Sequence, residues 1–156
     1  VLNTNSDPAL FRDYGLPIAP DVVDGYAGPL AGVLTGLEWA AANAPHCDWV
    51  ASFASDAPFA PTDLVSRMRT AIEREDSDMA CASSAGRDHP VFALWPVRLA
   101  AELRAAVVTE GVRKVDTWTA RYTLARAEFG TADGDPFFNI NRPEDLAAAE
   151  VLLVAG

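Results

Sequence analysis

Lysine is nearly absent from this sequence. Lys114 stands alone beside eleven arginines, and acidic residues outnumber basic ones 22 to 12, for a formal net charge of −10. Without clustered basic residues the chain offers no nucleic-acid-binding surface. An anionic small ligand is not excluded, because a metal ion, a glycine turn or a helix N-terminus can hold one locally. Cysteine is scarce as well. Cys47 and Cys81 lie far apart, without zinc-site spacing and too few for a disulfide scaffold, and read as small, partly buried residues. Apolar runs long enough to span a membrane are missing, and so is a secretory leader, so the expected compartment is the cytoplasm. The chain also lacks an initiator Met and opens on "VLNTN", which reads as the end of a strand. The expectation is a single domain over residues 1–156 that is incomplete at its N-terminus.

What is present points to a packed α/β domain. Half of the 156 residues are hydrophobic and four are tryptophan, enough for a substantial core and against disorder. "VLNTN" and "LPIAPD" (16–21) read as short extended segments, and the turn-rich "GYAGPLAG" (25–32) runs into a helix with Leu30, Val33, Leu34 and Leu37 at helical spacing. "DWVASFASD" (48–56) reads as a buried strand stopped by Pro58 and Pro61, after which Thr62 is placed to cap a helix over 63–75. "DMACASS" (78–84), a turn at "AGRD" and "HPVFALWP" (89–96) predict a strand, a reversal and a second extended segment. Helices are predicted over 97–108 and 113–122, strands over 123–129 and at "FNIN" (138–141), and a last helix over 144–154. Strands alternating with helices imply a largely parallel sheet.

Ligands of such sheets sit outside the carboxyl ends of the strands. Asn3, Asp21, Asp56 and the pair Asn139/Asn141 fall at predicted strand ends. Asp56 closes an apolar strand before an Ala-Pro turn, a position from which a carboxylate can hold Mg²⁺ or simply cap the turn. Gly28 and Gly32 bracket a helix N-terminus, where backbone N–H groups can approach an anion or merely form an ordinary loop. His89, fixed by Pro90, suits either a substrate contact or a structural turn. Arg113 and Lys114 form the densest basic spot and suit a phosphate or a solvated helix start. Residues two apart on a strand share a face, so Asn139 and Asn141 point together. Asn141 also stands three residues before Glu144, the spacing of a capping box.

Together "GPLAG" (28–32), "SDAPFAP" (55–61), "HPVFAL" (89–94), "GVRKV" (111–115) and "FNINRPEDL" (138–146) resemble, in order and approximate spacing, the molybdenum cofactor guanylyltransferase family. The family opens with a glycine-rich phosphate loop that this sequence does not contain, and it has Thr or Ser where Arg142 stands and Thr where Ala57 stands. The resemblance implies a Rossmann-like nucleotidyltransferase domain, a three-layer sandwich with a mostly parallel sheet. The implied reaction is Mg²⁺-dependent transfer of GMP from GTP to molybdopterin with release of pyrophosphate. The alternatives are a non-catalytic nucleotide-binding or assembly module, and a related nucleotidyltransferase using CTP or another acceptor. By the resemblance, Asn3, Asp21, Gly28, Gly32 and Asp56 bind nucleotide, and Asp56 is the catalytic metal ligand. Asn139, Asn141, Arg113, Lys114 and His89 face molybdopterin. Other cofactor-biosynthesis proteins and acceptor molybdoenzymes are the further partners implied. Without the phosphate loop, the chain as it stands is expected to be inactive.

Overall fold

The computed structural model describes residues 1–25, 28–132 and 134–155, with the side chains of the last four of these left aside. Part of the predicted loop 25–32, Tyr26 and Ala27, lies outside the described residues. Two short strands, β1 (Leu2–Asn3) and β2 (Ile18–Ala19), pair in parallel. They are followed by α1 (Pro29–Asn43), β3 (Trp49–Ser52), α2 (Leu64–Glu75), β4 (Met79–Ser84), β5 (Arg87–Pro96), α3 (Ala100–Val108), α4 (Val115–Thr119), β6 (Leu124–Phe129) and α5 (Pro143–Ala155). The main sheet has the order β3-β5-β4-β6. β4 pairs with β6 in parallel, and β5 runs antiparallel to both β3 and β4. Three of the four strands therefore share one direction, and the expected mostly parallel α/β sheet is present with β5 as its reversed member.

Side-chain alternation along the sheet builds two cores, one on each face. Met79, Cys81, Ala93 and Trp95 point to one side, where Leu30, Leu34 and Leu37 of α1, Leu103 of α3 and Trp118 of α4 cover them. Ala80, Ala82, Phe92, Leu94, Ala125 and Ala127 point to the other, against Leu64, Met68 and Ile72 of α2. This is the three-layer arrangement the sequence implied. α1 is buried along much of its length because its apolar residues recur at helical spacing. Arg104 of α3 clamps Glu38 of α1 through two hydrogen bonds of 2.5 and 2.7 Å.

β4 and β5 are joined by a two-residue hairpin in which Ala85 (φ 48°) and Gly86 (φ 74°) are both left-handed, the geometry that matches strand twist. Pairing then breaks: Ala82 faces His89 while Cys81 faces Ala93, so Pro90, Val91 and Phe92 have no partner on β4. Proline has no N–H to give a ladder, and here it opens a bulge. The Ser52 hydroxyl, 2.5 Å from the Val91 carbonyl, satisfies the freed acceptor, and the Trp95 indole N–H donates to the same hydroxyl at 2.8 Å.

Several local expectations need correction. The N-cap of α2 is Asp63, without a side-chain cap bond, so Thr62 does not cap it. The helix expected over 113–122 shortens to the five residues of α4, because Lys114 is extended and Gly111 is left-handed at φ 72°. Cys47 is exposed and Cys81 fully buried, so neither is partly buried. Residues 138–141 are not a strand: Phe138 N–H turns back to the Asp135 carbonyl and only Ile140 bonds to a neighbouring segment, at the Asp56 carbonyl. Among the described residues no helix is long and apolar enough to cross a membrane.

Leu34 is wholly buried between α1 and the sheet. Leu34→Ala is expected to lower the unfolding free energy by about 2–5 kcal/mol, read as a fall in the urea midpoint at unchanged m-value.

Candidate functional site

At the end of β1 the Asn3 amide donates to the Ala19 carbonyl at 3.1 Å and to one Asp21 oxygen at 3.0 Å. Asn5 holds the other Asp21 oxygen at 2.9 Å and accepts the Asp21 N–H at 2.8 Å. Sequence reasoning named Asn3 and Asp21 but passed over Asn5, whose signal was its place two residues after Asn3. Gly32 belongs to the same cluster. A Cβ there would stand 2.6 Å from the Asn3 side-chain oxygen, so only glycine lets the first turns of α1 approach this amide. Gly28, the N-cap of α1, has φ 73° and lies against the Arg113 carbonyl, which joins the glycine segment to the 111–115 stretch.

Beyond the strand ends lie two neighbouring cavities that share Asp88, Pro90 and Val91. The first, about 360 Å³, is lined by His89, Asn139 and Asn141 together with Phe92, Phe137 and Phe138. The second, about 510 Å³, is bordered by Arg113 and Lys114, with Pro29 and Cys81. The β5 bulge forms the wall between them, which is why two separate sequence motifs meet here. Asp88 is fixed at the shared rim by Arg126 of β6.

His89 is buried, and its Nε2 lies 2.7 Å from the Ser84 hydroxyl, which donates to the Asp135 carboxylate at 3.0 Å. Asp135 also accepts the Phe137 N–H at 3.0 Å, so one carboxylate holds both the hydroxyl and the loop that carries the aromatic wall. The Phe137 ring packs on the imidazole with centroids 4.5 Å apart. Ser84 and Asp135 were missed from sequence. The available signal was a strand buried along its whole length that ends in two serines, which must find partners.

Asn139 and Asn141 do share the first cavity, although not through strand alternation. The cap of α5 is made by Asp145, whose carboxylate accepts the N–H groups of Asn141 and Arg142 at 3.0 and 2.9 Å. This corrects the expected capping box: none of these cap bonds runs to the Asn141 amide or to Glu144. Asp56 does not line either cavity and does not close a strand, since β3 ends at Ser52 and Asp56 sits in the turn beyond it. Its carbonyl accepts the Ile140 N–H at 2.7 Å, which pins the Asn139–Asn141 segment to that turn. The half-buried Asp56 carboxylate has no hydrogen-bond or ion-pair partner among the described residues. Arg113 is less available than its position suggests, because its Nη1 donates to the Val107 and Val112 carbonyls at 2.7 and 3.1 Å and so closes the end of α3. Lys114 is exposed at the rim of the second cavity. Burial pushes the Cys81 thiol up to about 12, so this wall residue is no nucleophile.

Glycines at a helix start beside strand ends, with cavities behind them, make the arrangement in which α/β sheets take ligands. The fold is that of the molybdopterin-guanine dinucleotide biosynthesis protein A of Archaeoglobus fulgidus, with a TM-score of 0.70 at 23% identity over 95% of this chain and 73% of that one. Residues 1–124 match the MobA-like NTP transferase domain, and the chain belongs to that family. Among its relatives are the molybdenum cofactor guanylyltransferases of Rhodopseudomonas palustris strain BisB5, 53% identical over 96% of this chain and 71% of the relative, and of Bradyrhizobium sp. strain ORS 278, 53% identical over 97% and 72%. The chain is thus a nucleotidyltransferase of molybdenum cofactor biosynthesis, as its motifs suggested.

Burial lowers the His89 pKa from its ordinary 6.5, with Asp135, Asp88 and Glu128 opposing and Arg87 assisting. The native ring then binds a proton less readily than the unfolded one. Its contribution to stability is complete above pH 6.5 and is lost as the pH falls from there through the lower native value. The urea midpoint is expected to drop between about pH 7.5 and about pH 5.5, and His89→Gln to flatten that drop.

Proposed function

We propose that this protein transfers GMP from GTP to molybdopterin. The observation that carries the reading is the convergence of His89, Asn139 and Asn141 in one aromatic-walled cavity, whose neighbour across the β5 bulge reaches the glycine segment at Pro29. A planar heterocycle suits such a space, since rings pack on rings while a few polar groups set orientation. The Asn3–Asp21 cluster over Gly32 serves the nucleotide, with Asp21 toward the base or ribose and the first turn of α1 toward its phosphates. Lys114 faces phosphate at the second cavity, while Arg113 shapes that rim through its bonds to the α3 carbonyls.

In the reaction, a phosphate oxygen of molybdopterin attacks the α-phosphorus of GTP. A new P–O bond forms, the bond to the β-phosphate oxygen breaks, and pyrophosphate leaves with that electron pair. Such chemistry needs alignment and charge neutralisation more than a covalent side chain. The Asp56 carboxylate fits a Mg²⁺ ion: it is open, and no group of three His, Cys, Asp or Glu gathers among the described residues, so water and phosphate oxygens would complete the shell. When bound, that ion supplies positive charge to the phosphates. The chain's own part is to orient the acceptor through the two asparagines, held to the Asp56 turn by the Ile140 bond.

Asp56→Asn is expected to lower Mg²⁺-dependent formation of the guanine dinucleotide by about 10²–10³-fold in a pyrophosphate-release assay, with the unfolding transition preserved. Full activity in the variant removes the metal role, and turnover with CTP equal to that with GTP removes the guanine assignment. Asn139→Ala and Asn141→Ala are each expected to raise the KM for molybdopterin about tenfold, one hydrogen bond's worth, with little change in the KM for GTP. Because Asp145 makes the α5 cap, Asn141→Ala is also expected to leave thermal stability within about 0.5 kcal/mol.

A further inference from the structure

Asp135 lines the cavity, whereas Ser84 lies behind its wall and is buried. Their hydrogen bonds nevertheless run in a directed chain. The Asp135 carboxylate takes the single hydroxyl proton of Ser84, at 3.0 Å. The Ser84 oxygen, 2.7 Å from His89 Nε2, is then left with lone pairs alone, so the ring nitrogen must be the donor of that contact. A neutral imidazole with its proton on Nε2 carries a bare lone pair on Nδ1. Desolvation of the ring favours that neutral form. Among the described residues Nδ1 makes no hydrogen bond, yet no buried side-chain nitrogen or oxygen is left unpartnered, so this atom is reached from the cavity that His89 lines.

We propose that Asp135 and Ser84 are positioning residues that fix His89 as a hydrogen-bond acceptor, which selects an N–H donor on the edge of the pterin ring. This rests on the molybdopterin reading above and adds the polarity of the contact. The asparagine amides each present a donor and an acceptor and adapt to either edge of a heterocycle. His89 held in one tautomer does not adapt. It rejects a ring that offers a lone pair at the same place, because two facing acceptors with water excluded are costly. The Phe137 ring, tied to the same Asp135 carboxylate through its N–H, keeps the imidazole plane in place.

Two measurements decide the matter. Long-range ¹H–¹⁵N correlation spectra of the imidazole rings in the ligand-free protein report the tautomer directly, with His46→Gln removing the second histidine. The expected result is a protonated Nε2 and a bare Nδ1 in the parent protein, and loss of that single tautomer in Ser84→Ala and, as a second variant, Asp135→Ala. A proton on Nδ1 in the parent protein overturns the proposal. In steady-state assays Ser84→Ala is expected to raise the KM for molybdopterin about tenfold while the KM for GTP stays within about twofold, a split that a general loosening of the fold would not give. An unchanged molybdopterin KM in a variant that has lost the tautomer overturns the proposal while guanylyl transfer stands. If the parent protein shows the expected tautomer and transfers no GMP to molybdopterin, the pterin contact falls together with the guanylyltransferase reading, and the failure is traced to that reading.

Discussion

The break in the ladder at Pro90–Phe92 is the constraint on which the site depends. A continuous β5 would carry His89, Val91 and Ala93 on one face, whereas here His89 sits beside Ala82 on one side of the sheet and Ala93 beside Cys81 on the other. Proline removes a ladder donor at residue 90, and the three unpaired residues swell outward toward the strand ends. That outward turn makes the shared wall of the two cavities and sets Phe92 against Phe137 at 4.9 Å between centroids. The bulge would be costly if its polar groups were stranded. The hydroxyl of Ser52 meets the Val91 carbonyl and Trp95 in turn meets Ser52, so the irregularity is anchored in the core on the α1 side of the sheet.

β4 illustrates the second half of the same arrangement. It is buried along all six residues, and the small side chains of Ala80 and Ala82 let α2 approach closely on their face of the sheet. Its last two residues are serines, polar groups in a place where water does not reach. Ser83 hydrogen-bonds to Glu128 of β6 and Ser84 to Asp135, so each ties the sheet to the segment that follows β6 or to β6 itself. Packing therefore fixes where the strand ends are, and the hydroxyls fix what hangs from them. The loop carrying Asn139 and Asn141 is held from two sides, by the Asp135 bonds at its start and by Ile140 on Asp56.

Much of this was legible in the sequence because it rests on local rules. The helical spacing of Leu30, Val33, Leu34 and Leu37, the apolar strands and the glycine and proline stops each report their own element. The family motifs likewise brought His89, Asn139 and Asn141 to one place before any coordinates did. What stayed hidden depends on partners distant in the chain. Residues 138–141 look like a strand by composition, but the main sheet is already bounded by β6 and no ladder receives them. The Asn141–Glu144 spacing satisfies a capping pattern, yet Asp145 is the side chain that reaches the free N–H groups. Arg113 looks like a ligand because it is basic, and only the fold shows the α3 carbonyls that occupy it.

The charge pattern of the chain then acquires a reason. Seven of the eleven arginines are ion-paired to Asp or Glu, and Arg113 is committed to backbone carbonyls. Among the described residues, that leaves Arg12, Arg87, Arg142 and Lys114 without an acidic partner. Arg87 lines the first cavity, Lys114 borders the second, and Arg142 follows the cavity residue Asn141. A net charge of −10 repels phosphorylated ligands at long range, but that repulsion is spread over the surface and screened by salt beyond about 8–10 Å. A cation with no carboxylate beside it keeps its field at short range, where a phosphate would feel it. An acidic protein can thus handle polyphosphates provided uncommitted cations lie where the strands end, and here Arg87 and Lys114 do.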